Sequence, residues 1–126
     1  MTSLHEVYKC EKCGNIAVIF HPAAGALVCC GADMTLMPEK NADQGKEKHV
    51  PVISQDGSGI QVKCGDIPHP MEEKHYIEWI EVQGGDYYFI KRLTPGNSPE
   101  AEFPCASTDV TARAYCNVHG LWTSRT

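Results

Sequence analysis

No apolar run in this 126-residue chain approaches the roughly 20 residues that a bilayer-spanning helix requires. No cluster of lysine and arginine relieves its formal charge of −5, so neither a membrane nor nucleic acid is expected as a partner. No convincing amphipathic helix, internal repeat or low-complexity tract interrupts a succession of short segments. The opening residues, Met1-Thr2-Ser3-Leu4-His5-Glu6, lack both the basic start and the apolar core of an export signal, and a cytoplasmic location is expected on that ground. What is present is 42% hydrophobic residues, enough for a real core in one ordinary domain plus a small appendage.

Cysteine is not scarce. Seven occur, an odd number that a disulfide framework does not favour. In a reducing compartment, cysteines placed two apart or side by side point instead to metal. Cys10 and Cys13 form a C-x-x-C, and Cys29-Cys30 follows after fifteen residues, a spacing that belongs with four-thiolate sites. Gly14 suits the tight turn after the first pair, where amide groups can point at sulfur. A segment of about 37 residues buries too little surface to fold alone, whereas a four-sulfur site contributes on the order of 10 kcal/mol or more. Zinc and iron both suit such a site. The adjacent pair Cys29-Cys30 cannot form a second ordinary knuckle, which distorts the tetrahedron and leans weakly to iron. Two disulfides are the bland alternative. Cys64 and Cys105 have no partner motif and read as small buried hydrophobes.

Residues 1–37 therefore read as a metal domain with a β-like run at Ile16 to Phe20. Residues 37–47 are polar, with Pro38 and Gly45, and read as a linker. From about Val50 onward, short strands are broken by turns. Candidates are Ile60 to Lys63, His75 to Gln83, Tyr87 to Leu93, Glu100 to Phe103, Val110 to Tyr115 and Leu121 to Ser124, with a hairpin at Gly84-Gly85-Asp86. That spacing predicts an all-β chain whose second domain, residues 38–126, is an antiparallel β-sandwich.

Of six histidines, His5 and His21 lie in the first domain and read as solvated side chains. The other four, His49, His69, His75 and His119, each sit where a strand begins or ends, and loops at strand ends are where a sandwich gathers functional groups. Any one of them alone is more often a surface or core histidine. Cys116 and His119 form a C-x-x-H, close enough to share an ion, and Pro70 holds His69 extended. Five such ligands are too many for structural zinc and two histidines too many for blue copper. Five-coordinate iron with one open position for a small oxygen ligand fits best. An electron-transfer module, a dismutase and a purely structural zinc protein are the rivals.

The combination of Cys10, Cys13, Cys29 and Cys30 with Glu47-Lys48-His49-Val50-Pro51, His69-Pro70-Met71-Glu72-Glu73-Lys74-His75 and Cys116-Asn117-Val118-His119 resembles desulfoferrodoxin, the two-iron superoxide reductase family. The resemblance covers nearly the whole chain. It implies a desulforedoxin-like, rubredoxin-type N-terminal domain with an FeS4 centre, and an immunoglobulin-like domain with an Fe(His)4(Cys) centre. His49, His69, His75 and His119 would be equatorial and Cys116 axial. It further implies one-electron reduction of superoxide to hydrogen peroxide, rubredoxin-type electron donors, a homodimer, and defence against oxygen in an anaerobe or microaerophile.

Two neighbours of His49 carry the remaining expectations. Lys48 would add local positive charge and draw in the anion; its bland reading is a solvated surface charge. The same resemblance implies that Glu47 is the sixth ligand of the ferric ion. In extended chain Glu47 and His49 face one way and Lys48 the other, so the two could alternate at the site, with Gly45 supplying loop freedom. The four-cysteine centre is expected to be a structural staple rather than an electron relay.

Overall fold

The computed structural model describes residues 1–42 and 48–124, and among these every regular element is a strand. The chain divides into two compact units, Met1–Pro38 and Glu39–Thr126.

The first unit carries β1 (Val7–Lys9), β2 (Ile16–Val18), β3 (Val28–Cys29), β4 (Ala32–Asp33) and β5 (Thr35–Leu36). A three-stranded sheet runs β2-β1-β5, and β3 pairs with β4 as a separate ribbon. The β-like run at Ile16 to Phe20 is a strand only as far as Val18. Its buried apolar side chains are Val7, Cys10 and Ile19, too few to offset the entropy of ordering nearly forty residues. His5 is not merely solvated: its ring meets Phe20 edge-on at 5.6 Å between centroids. His21 is exposed.

In the second unit, β6 (Glu39–Lys40), β7 (Pro51–Asp56), β8 (Gly59–Cys64), β9 (Ile77–Gly84), β10 (Tyr87–Arg92), β11 (Glu100–Phe103), β12 (Thr111–Cys116) and β13 (Gly120–Thr123) form two sheets. One has the order β10-β9-β12-β13-β6 and the other β11-β8-β7. Pairing is antiparallel except at β6, which adds in parallel to β13. The polar stretch expected to be a linker thus contains a two-residue edge strand.

Period-two alternation decides what lies inside. Ile60, Val62 and Cys64 from β8, Ile80 and Val82 from β9, Ala101 and Phe103 from β11, and Ala112, Ala114 and Cys116 from β12 form one cluster with Ile77 and Leu93. Small alanines on β12 let the sheets approach, while isoleucine, valine and phenylalanine opposite them fill the space. Cys116 ends the β12 row. There the pairing to β9 slips, from Tyr115 opposite Trp79 to Cys116 opposite Ile77, so Glu78 is the extra residue of a bulge. A bulge re-aims the chain beyond it, and the residues that follow are the C-x-x-H loop.

The other face of the five-stranded sheet carries a polar network that burial rarely permits. Glu81 and Arg113 stand opposite each other on β9 and β12 and are 0% and 1% exposed. Arg113 donates through Nε (3.0 Å) and a terminal nitrogen (2.6 Å) to the Glu81 carboxylate. Trp79 Nε1 and Gln83 Nε2 donate to the same carboxylate at 2.8 and 3.1 Å. Arg113 also donates to the Tyr88 hydroxyl at 3.4 Å and faces Glu39 at 3.9 Å. Both oxygens of the buried Glu81 carboxylate meet donors, which offsets their desolvation.

Candidate metal centres

In the first unit, Cys10, Cys13, Cys29 and Cys30 come together at the ends of β1 and β3. The Cys13 and Cys29 sulfurs are 3.6 Å apart, and those of Cys29 and Cys30 3.9 Å. A tetrahedron with metal–sulfur bonds near 2.3 Å has edges of about 3.8 Å, so the donor set fits a single zinc or iron ion. The Cys10–Cys13 turn is the expected knuckle. The Cys13 amide donates to Cys10 Sγ at 3.4 Å, and the Gly14 amide to the Cys10 carbonyl at 2.9 Å. Gly14 sits at φ 89°, where a side chain would be strained.

Adjacent cysteines reach one centre by a different device. Cys30 itself takes φ 54°, the left-handed region that a non-glycine residue seldom enters. That twist turns its sulfur to the same side as Cys29. Asn15 Nδ2 also donates to Cys29 Sγ at 3.7 Å.

Sulfurs this close oppose one another's ionisation. Amides of Cys13 and Lys12 pull Cys10 down to about 6. The neighbouring sulfurs of Cys13 and Cys29 push Cys30 up to about 12, and those of Cys13 and Cys10 raise Cys29. One thiolate forms readily and opposes the next. A cation at the centre reverses this, which is how metal binding and folding become coupled here.

The second cluster gathers His49, His69, His75, Cys116 and His119, whose ligand atoms all lie within 4.8 Å of one another. The imidazoles form a closed ring in the order His49, His69, His75, His119. Successive centroids are 4.7, 4.8, 5.0 and 4.7 Å apart, and each ring stands at 68° to 84° to the next. His49 thus faces His75 across the ring, and His69 faces His119. His49 Nε2 and His119 Nδ1 are 3.0 Å apart, the edge of a square of nitrogens about 2.1 Å from a central ion.

Hydrogen bonds settle which nitrogen points inward. His69 Nδ1 lies 2.7 Å from the Pro70 carbonyl, which can only accept, so Nδ1 carries the proton and Nε2 the free lone pair. His69 Nε2 and His75 Nε2 are buried with no hydrogen-bond partner among the described residues. Orphaned buried nitrogens are costly unless an ion occupies the space they face. Burial pushes His69 down to about 4, and burial, with smaller effects of His119 and Lys48, lowers His75. Both rings are thereby kept neutral, the form that binds a metal.

Cys116 closes the set from the core side. Its sulfur is 3.8 Å from His119 Nδ1 and accepts the His119 amide at 3.4 Å. Burial raises its thiol, while the amides of His119 and Val118 oppose that shift by favouring thiolate. Four imidazoles around one fully buried cysteine sulfur are five donors, more than a closed tetrahedral zinc site accepts and with two histidines beyond blue copper. The set fits iron.

Several supporting residues escaped sequence reasoning. Asn117, inside the C-x-x-H, accepts the Tyr76 amide at 2.9 Å and donates to the Lys74 carbonyl at 3.1 Å, tying the His75 segment to the Cys116 loop. An asparagine at a tight turn was the available signal. Trp122 stacks on His49 at 4.5 Å and 17°; nothing in a lone tryptophan announced it. Lys48 lies beside the cluster and acts electrostatically on His75. Glu47 lies outside the described residues. Cys64 is buried as expected, whereas Cys105 is only half-buried and donates to the Ser107 carbonyl at 3.4 Å.

The desulfoferrodoxin family model matches residues 41–125, and the model of the desulfoferrodoxin N-terminal domain matches residues 2–37. A desulfoferrodoxin homolog from Archaeoglobus fulgidus is 56% identical over 124 residues, covering 98% of this chain and 99% of its own. Desulfoferrodoxin from Nitratidesulfovibrio vulgaris is 51% identical over 122 residues, covering 97% of each chain. Among solved structures, the superoxide reductase from Treponema pallidum superposes with a TM-score of 0.73 at 27% identity, covering 94% of both chains. With both parts matched in order and relatives alike from end to end, this chain belongs to the desulfoferrodoxin family.

Proposed function

We propose that the chain is a superoxide reductase, with residues 1–37 as an FeS4 domain and residues 38–126 as the catalytic domain. The observation that carries the reading is the closed ring of four imidazoles, two with orphaned inward nitrogens, above a buried cysteine. His49, His69, His75 and His119 would hold the iron together with Cys116, which reaches the cluster from the core side. Iron bound there supplies the single electron that, with two protons, converts superoxide to hydrogen peroxide.

The chain's own part is to bind, orient and attract. Asn117 and the bulge at Glu78 fix the Cys116 loop, so the thiolate approaches along one direction only. The Pro70 carbonyl fixes the His69 tautomer, as outer partners of metal-bound histidines do. Lys48 sets a positive charge beside the cluster, on a protein whose formal charge of −5 would otherwise repel an anion. Such focusing raises association rates by roughly 10 to 10³. Lys48→Ile is expected to slow superoxide capture by about tenfold at low salt while leaving the visible spectrum unchanged. Pulse radiolysis across a salt series reads this; equal rates at low salt refute the steering role. Glu47 is proposed to alternate with Lys48 and to ligate the ferric form.

The four-cysteine centre is proposed to be a staple. Its unit has three buried apolar side chains and needs the metal to fold. Cys13→Ser is expected to lower the stability of that unit and leave turnover with a physiological donor unchanged. Turnover that falls together with electron delivery from the donor makes the centre a relay instead. Family membership supports the remaining assignments: rubredoxin-type donors, a cytoplasmic homodimer and a role in defence against oxygen.

Azide or cyanide separates this reading from a pure electron-transfer module. Either anion is expected to perturb the spectrum of the histidine-bound iron and not that of the thiolate centre. A histidine-bound iron indifferent to both is coordinatively closed, and the enzymatic reading fails.

A further inference from the structure

Lys40 has no part in the reading above, yet it touches the histidine cluster from the edge of the sheet. It lies on β6, opposite Trp122 of β13. Its Nζ donates to the His119 carbonyl at 2.8 Å and stands 5.3 Å from the Trp122 ring centroid. Trp122 in turn stacks on His49. One ammonium therefore contacts the loop that carries Cys116 and His119, and also the ring that backs His49. His119 and His49 are neighbours around the cluster.

The chain turns toward Lys40 at Gly120, where the positive φ, rather than any steric gap, calls for glycine. A Cβ there would stand 3.8 Å from Lys40 Nζ, at φ 88°, a conformation that favours glycine. Gly120 thus lets the His119 carbonyl turn out toward the edge strand, where the lysine caps it. The cation–π geometry falls within the distance at which Trp attracts an ammonium. Lys40 is also near enough to act electrostatically on the Cys116 sulfur.

We propose that Lys40 is a positioning and tuning residue for the histidine-bound iron, holding the His119 carbonyl and the Trp122–His49 stack and placing a fixed positive charge beside the centre. The inference rests on the reading of that cluster as an iron site. A nearby cation favours the less positively charged oxidation state, so Lys40 favours ferrous iron. Its hydrogen bond and ring contact resist opening of the Cys116–His119 loop, so it also slows iron loss.

The test uses the full chain loaded with iron. Lys40→Met keeps the apolar stem and removes charge and donors; Lys40→Arg restores both. Spectroelectrochemistry reads the ferrous-to-ferric ratio of the histidine-bound iron at fixed ambient potential, with the four-cysteine centre of the same chain as internal reference. Lys40→Met is expected to lower that ratio about two- to fivefold and to speed iron release to a chelator by up to about tenfold. Lys40→Arg is expected to return both to wild-type values. An unchanged ratio in Lys40→Met, or a lowered ratio that Lys40→Arg does not restore, overturns the proposal. Wild-type protein that binds no iron at the cluster removes both the proposal and the reading beneath it; normal wild-type protein with an indifferent Lys40→Met removes the proposal alone.

Discussion

Cys116→Ser is expected to bleach the thiolate-to-iron absorption of the histidine site and to reduce superoxide reduction by more than about 100-fold, the upper end of what even outer partners of a metal cost. Serine matches cysteine in shape but does not ionise near neutral pH, so the one anionic donor among five is lost. The loss also strikes the core, since Cys116 is 0% exposed and ends the row that begins at Ala112 and Ala114. A hydroxyl in place of the sulfur puts a more polar group into the apolar cluster, at a cost of about 1–3 kcal/mol. Cys64→Ser supplies the control. Cys64 is as deeply buried in the same cluster but is not among the five grouped ligands. It is expected to lose similar stability and keep colour and activity. Equal bleaching by both substitutions would mean that packing, not ligation, explains the effect of Cys116.

The largest expected effect on stability lies away from both centres. Arg113→Met leaves the Glu81 carboxylate buried with its cationic partner gone, and breaking a buried pair in this way costs about 3–5 kcal/mol. Trp79 and Gln83 still donate to that carboxylate, but neutral donors do not offset a buried negative charge. For a unit of this size the melting temperature should fall on the order of 15 °C. The double variant Glu81→Gln, Arg113→Met removes both charges and is expected to recover much of the loss. Thermal unfolding followed by circular dichroism measures it. A double variant less stable than Arg113→Met would show that the network contributes through more than charge pairing.

Much of this protein could be read before its structure was known, and the reasons differ by element. The strands at Glu100–Phe103 and Tyr87–Arg92 follow from alternation and turn residues, which are local signals. The ligands were legible because cysteine and histidine in motif spacing have few other uses. Strands of two or three residues, such as Glu39–Lys40, carry too little pattern to detect and are held by what they pair with. Glu81 sits between Ile80 and Val82 and reads as an ordinary outward carboxylate. Only the partner 32 positions along the chain shows that it is buried and ion-paired. The order of imidazoles around the ring, the inward nitrogens and the reach of Lys40 are equally non-local, because they depend on loops from three segments meeting.

The left-handed Cys30 shows the same division. The adjacent pair at residues 29 and 30 signals a departure from two ordinary knuckles, and with it an unusual local geometry. The backbone takes part in meeting that demand: with Cys30 at φ 54°, the Cys13–Cys29 and Cys29–Cys30 sulfurs lie 3.6 and 3.9 Å apart, near enough to share one ion.

Pulse radiolysis of the fully reduced, iron-loaded chain, with hydrogen peroxide, dioxygen and the iron spectrum followed together, tests the central claim most directly. One hydrogen peroxide and one ferric histidine centre for each superoxide consumed, with no dioxygen, is the predicted result. Dioxygen release at half the superoxide consumed, or superoxide that decays while the histidine-bound iron stays ferrous, would contradict it.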